Sequence, residues 1–121
     1  MTTKTQKMPG PDHPITVVHA PGRVIVRHHG RVIADSRLAL TLTEATYRPV
    51  HYIPRGDADM AALARSDHET YCPYKGDCSY FSLPDAANAV WSYEHPYNAV
   101  AQIKDHLAFY PDKVEIEVLA G

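Results

Sequence analysis

From residue 15 onward the chain is dominated by short apolar–polar alternations of the kind that build half-buried strands. ITVVH (15–19) is short and β-branched. RVIVRH (23–28) alternates at period two and puts Val24 and Val26 on one face. His29-Gly30 is a turn signal and RVIADS follows it, so residues 23–36 are expected to form a hairpin. LALTLTEA (38–45) alternates leucine with polar residues and reads as a further strand. YRPVHYIP (47–54) reads as another, with Pro49 marking an edge or a bulge.

The second half continues in the same manner. Residues 55–66 hold a loop and one helical turn around MAALAR. TYCPYKGDCSYFSL is aromatic-rich, with Lys75-Gly76-Asp77 as a turn between two strands. AVWSYEHP (89–96) is a strand stopped by its proline, and VEIEVLA (114–120) is the closing strand, with Val114, Ile116 and Val118 facing in. One segment carries a helical period. Val100, Ile103 and Leu107 are spaced by three and four, and Asn98 could cap them, so a helix is predicted over 98–109. The expected fold is mostly β (α+β): a curved antiparallel sheet or barrel-like β structure with this one C-terminal helix packed on it. Residues 1–13, polar and Pro/Gly-rich, read as a flexible lead-in to a single domain at 14–121.

Composition narrows the function classes. The 121 residues fit one domain, and 45% hydrophobic content supports a core without metal or disulfide staples. A net charge of −2 gives no electrostatic case for nucleic acid. No run approaches the ~18 apolar residues of a membrane helix, and residues 1–14 hold no apolar run of a signal peptide. With two cysteines only, the reading is a reducing cytoplasm without disulfides. Eight tyrosines against two phenylalanines and one tryptophan place many polar-tipped rings at surfaces or pocket walls.

Three clusters carry candidate chemistry. Cys72 is a candidate nucleophile if Lys75 or His68 lowers its pKa; the other reading is a buried, inert cysteine at the end of a strand. Cys72 and Cys78 are spaced C-x5-C, which is not a zinc spacing, and neither His51 nor His68 completes a diagnostic set; no metal or other cofactor is read. Lys75-Gly76 offers a point charge beside a backbone that an anion can approach, without the Walker pattern. Trp91 and Tyr93 share one strand face while Ser92 and Glu94 share the other, so Glu94 is a candidate base or a charge partner for Lys75 or Arg48. Arg48, His51 and Arg55 form a local basic stretch. Asp57, Asp59 and Asp77 could hold magnesium but are equally ordinary turn formers.

Cys72-Pro73-Tyr74-Lys75-Gly76, Tyr80, Trp91-Ser92-Tyr93-Glu94-His95-Pro96-Tyr97 and Ala108-Phe109-Tyr110-Pro111 together resemble a bacterial family, domain of unknown function 427. PGPDHPI (9–15), RVIADS and Tyr52-Ile53-Pro54-Arg55 share the resemblance, which covers nearly the whole chain. It implies a small, mostly β domain, and it brings a nucleotidyltransferase label as an alternative function. Cys78 stands where a small residue such as alanine is expected, which separates it from any shared chemistry.

The first functional reading is a pocket for a small anionic or planar molecule. Tyr52, Tyr74, Tyr80, Trp91 and Tyr93 would line it with Arg48, and Cys72, Lys75 and Glu94 would be the candidate catalytic groups. A non-catalytic interaction module is the second reading, with exposed tyrosines serving partner binding or homodimerisation. Nucleotidyl transfer is the third; it requires carboxylates gathered beside a phosphate cradle.

Overall fold

A computed structural model describes residues 4–120 and is built almost entirely from antiparallel strands. β1 (Ile15–His19), β4 (Leu40–Glu44) and β5 (Val50–Tyr52) form one three-stranded sheet, in the order β1-β4-β5. β2 (Gly22–His28), β3 (Arg31–Ser36) and β10 (Glu115–Ala120) form a second, in the order β10-β2-β3. β6 (Ala64–Cys72), β7 (Gly76–Leu83), β8 (Ala86–Ser92) and the two-residue β9 (Ala108–Phe109) form a third, in that order. Backbone bridges Ala34–Ala58 and Ile53–Leu107 tie loops and sheets together. The chain is mostly β as expected, but the described residues form three sheets and no closed barrel.

The expected hairpin is present, with β2 paired to β3. His29 and Gly30 both have positive φ (51° and 79°), as a two-residue hairpin turn requires. Pro49 directly precedes β5, an edge strand of its sheet. β10 is also an edge strand, and Val118 on it is 44% exposed although it shares a strand face with the half-buried Ile116. Val24 and Val26 are buried, and so is Ile25 between them. Ile25 pairs with Glu117 on one side and Asp35 on the other. The Arg23–Asp35 and Arg27–Glu117 ion pairs therefore flank it on the outer face.

The predicted helix over 98–109 does not form. Asn98–Ile103 makes only 3-10 turns, broken at Val100 (φ −127°, ψ 29°). Asp105 then takes positive φ (62°), and residues 108–109 join the sheet as β9. Tertiary hydrogen bonds divert this backbone: the Asp105 N–H donates to the Tyr93 carbonyl, and the Leu107 N–H to that of Ile53. The apolar spacing still located the core, because Val100, Ile103 and Leu107 are all fully buried.

The four-stranded sheet separates two cores, and simple alternation assigns its residues to each. Phe81 pairs with Val90, which pairs with Phe109; these rings and branches enter a core shared with Val24, Val26, Ile33 and Leu107. Tyr80 pairs with Trp91, which pairs with Ala108; this face meets Leu40, Leu42 and Tyr52 of the first sheet. The candidate site lies on the second face.

Residues 4–13, read from sequence as a lead-in, lie along the domain. The Lys7 N–H donates to the Pro73 carbonyl, the Tyr71 hydroxyl donates to the Thr5 carbonyl, and Lys4 pairs with Asp77. Residues 1–3 lie outside the described residues.

Candidate functional site

A cavity of about 210 Å³ opens between the β1-β4-β5 sheet and the Tyr80/Trp91 face of the four-stranded sheet. β4 and β5 supply Leu42, Glu44, Val50 and Tyr52, and the loop between them supplies Tyr47 and Arg48. Tyr80, Trp91, Tyr93 and Tyr110 close the opposite wall. The turn before β7 supplies Lys75. The lysine-glycine turn and the strand carrying the one indole therefore meet across open space. The rings are arranged by contact: Tyr52 meets Trp91 edge-on with centroids 6.4 Å apart, and Trp91 Nε1 donates to the Tyr52 hydroxyl at 3.3 Å. Tyr110 also lies against the indole, with ring centroids 4.5 Å apart. Burial pushes the Tyr52, Tyr80 and Tyr93 phenols up, so they stay neutral hydrogen-bonding groups.

Lys75 is held in place by a salt bridge to Glu44, and both side chains are nearly buried, at 11% and 12% exposure. His13 Nε2 also donates to Glu44, at 2.8 Å, and the His13 ring stacks on Tyr74 at 4.0 Å. Burial opposes the Glu44 charge, but hydrogen bonds from Lys75 and then His13 outweigh it and keep the carboxyl below its ordinary value. Lys75 Nζ lies 5.7 Å from the Tyr93 ring centre. The turn occupies residues 73–75, and Gly76 opens β7 with φ +109°. A Cβ on Gly76 would come within 3.2 Å of the His95 carbonyl oxygen, so only glycine lets the chain leave the lysine in this position without strain.

Of the residues singled out from sequence, Arg48, Tyr52, Lys75, Tyr80, Trp91 and Tyr93 lie together on this cavity. Cys72, Tyr74 and Glu94 are not among its lining residues. Cys72 is a half-buried free thiol packed against the aromatic core, and Cys78 is a buried one whose pKa burial raises. Lys75 is engaged by Glu44, and His68 lies against the Tyr80 ring at 4.6 Å. Tyr74 serves as the stacking partner of His13. Among the described residues no three His, Cys, Asp or Glu side chains gather as metal ligands.

Glu94 belongs to the opposite face. Arg65 clasps it with two hydrogen bonds, at 3.0 and 2.7 Å, and Arg55 donates to it at 2.9 Å. Both guanidinium groups lie over the Phe81 ring, and Arg55 also bonds the buried Ser92 hydroxyl. The Arg65 hydrogen bonds, opposed by burial and helped by Arg55, pull the Glu94 pKa down to about 2. A depressed carboxyl stabilises the fold above its unfolded value and loses that contribution as pH falls through the folded one. Glu94→Gln is therefore expected to destabilise the protein by about 1–2 kcal/mol at pH 7, after allowing for the screening of the half-exposed Arg65. The deficit relative to wild type should shrink between pH 4.5 and about 2 in urea unfolding curves. A difference that does not change over that interval would remove the ion-pair assignment.

Glu44, His13, Tyr47 and Tyr110 were not singled out from sequence. Glu44 was accessible to it: Leu40, Leu42 and Glu44 share one face of β4, so the inward stripe ends in an acid that must meet a partner. His13 and Tyr110 fall within segments that carry the family resemblance but have no periodic signal of their own.

The fold and site define a small β domain in which two of the three antiparallel sheets face each other across an aromatic-walled cavity with a nearly buried lysine–glutamate pair. The family described as Domain of unknown function (DUF427) matches residues 16–120, and the chain belongs to it. No curated protein matches the chain. No helix among the described residues is long and apolar enough to cross a membrane.

Proposed function

We propose that this domain binds a small planar anion in the cavity between the lysine turn and Trp91. The observation that carries the reading is Arg48. It lines the cavity, it is exposed, and it makes no salt bridge among the described residues. The other cation on the wall, Lys75, is already neutralised by Glu44. An anion entering here thus meets one uncommitted guanidinium, neutral phenols and an indole face. A cavity of about 150 Å³ accepts benzene, so 210 Å³ takes one ring with a small substituent. We assign Lys75 to positioning, through its hold on Glu44, rather than to attack. Cys72 and Glu94 have no part in this proposal because neither reaches the cavity wall.

Two other readings receive less support. Only Tyr47 of the eight tyrosines is exposed, which leaves little tyrosine surface for an interaction module. For nucleotidyl transfer, Asp57, Asp59, Asp77 and Glu94 are spread over separate partners: Ser36, Arg31, Lys4, and the Arg55/Arg65 pair.

Phenylacetate and its neutral amide are suitable probes, because they share a shape and differ in charge. Phenylacetate is expected to raise the melting temperature of the wild type and phenylacetamide to do so less. Arg48→Ala should unfold within about 0.5 kcal/mol of wild type, being a surface change. It should lose the preference for the acid, with affinity falling about tenfold or more. Equal stabilisation by acid and amide, or an unchanged preference in Arg48→Ala, would overturn the proposal.

A further inference from the structure

A second cavity, of about 280 Å³, lies beside the first. Its walls are apolar, formed by Pro49, Val50, Phe109, Pro111, Ile116 and Val118. It shares Arg48, Val50 and Trp91 with the aromatic cavity, so the two adjoin along these three residues, of which Arg48 alone is charged. The polar side chain that completes it, His51, is held by Thr41 at 3.0 Å, and burial lowers its pKa toward the neutral form. Arg48 is therefore the only charged residue on the second cavity's wall.

Position decides the ligand's shape. If Arg48 stood at the far end of one chamber, the natural ligand would be an acid with a single body. It stands at the junction, with a ring-sized aromatic chamber on one side and an apolar one on the other. We infer that the two cavities are lobes of one site, and that the ligand is a branched carboxylic acid. Its acid group sits on a central carbon at Arg48, with an aryl arm in the phenol-lined lobe and an aliphatic arm against Pro49, Phe109, Ile116 and Val118. This rests on the binding reading above and adds the class of molecule. The aromatic lobe carries the Lys75–Glu44 pair on its wall and the second lobe does not, so an aliphatic extension from the ring within the aromatic lobe meets charged groups instead of apolar wall.

Two isomers test this with hydrophobicity held constant. 2-Phenylhexanoate carries four carbons on the carbon that bears the acid, whereas 4-butylphenylacetate carries them at the far end of the ring. Isothermal titration calorimetry should show 2-phenylhexanoate binding at least tenfold tighter than phenylacetate, since each buried methylene is worth up to about fourfold. 4-Butylphenylacetate should show no gain. Val118→Gln changes a half-exposed position on an edge strand, so the fold is retained, and it puts a longer, uncharged polar side chain in the aliphatic lobe without offering Arg48 a competing carboxylate. It should abolish the gain while phenylacetate binds as before. If phenylacetate binds but the two isomers bind alike, or the gain survives in Val118→Gln, the two-lobed site is overturned and the simple anion pocket stands. Should none of the three acids bind, both fall.

Discussion

Glu44→Ala is expected to destabilise the protein by about 3 kcal/mol, because it strands an ammonium group in a nearly closed, phenol-walled space. Lys75 is 11% exposed and Glu44 12%, so little solvent is available to replace the lost partner. The substitution also releases His13, which bonds the same carboxylate. Lys75→Met should be milder, about 1–2 kcal/mol, since Glu44 keeps His13 and can take up a proton. Replacing both, as Glu44→Leu with Lys75→Met, leaves no unpaired charge and should recover most of the loss. Urea unfolding of the three variants at neutral pH reads this directly. Because the folded Glu44 carboxyl lies below its ordinary value, the pair's contribution is present above the ordinary carboxylate range and is lost as pH drops through the folded value. Glu44→Ala within about 1 kcal/mol of wild type would mean that the pair does not hold the site together.

Leu107→Ala should cost about 3 kcal/mol, within the usual range for a fully buried leucine. Leu107 sits in the core beneath Val24, Val26 and Phe109, and its backbone exchanges two hydrogen bonds with Ile53. Those bonds join the segment after the 3-10 turns to the β5 end of the candidate site. The truncation leaves them intact and removes only packing, so the unfolding midpoint should move without a change in the denaturant slope. A loss below about 1 kcal/mol would place this segment outside the cooperative core.

That same segment shows where sequence patterns reach and where they stop. The spacing of Val100, Ile103 and Leu107 identified three buried residues correctly and the wrong backbone. Periodicity reports which side chains are hidden, and a 3-10 turn followed by an extended bridge can hide the same three. What decided the conformation was nonlocal: the amides of Asp105 and Leu107 are taken by Tyr93 and Ile53. By contrast, the hairpin at His29-Gly30 is governed by local φ preferences and was fully legible.

For the site, alternation carried more than its first use suggested. Trp91 and Tyr93 on one face and Ser92 and Glu94 on the other is the observed arrangement, and it already separates Glu94 from the indole. The identity of its partners, Arg55 and Arg65, depends on how two loops and strands pack and was not accessible. The stripe Leu40, Leu42, Glu44 likewise announced an inward acid, but not that Lys75, 31 residues away, would meet it.

Trp91 is the only tryptophan in the chain and forms a wall of the cavity, so its fluorescence reports on that space without labels. Titrating phenylacetate into the wild type should give a saturable change in Trp91 emission, and Arg48→Ala should shift the midpoint to at least about tenfold higher concentration. A flat titration in the wild type, or the same midpoint in both proteins, would contradict the assignment of this cavity as an anion site.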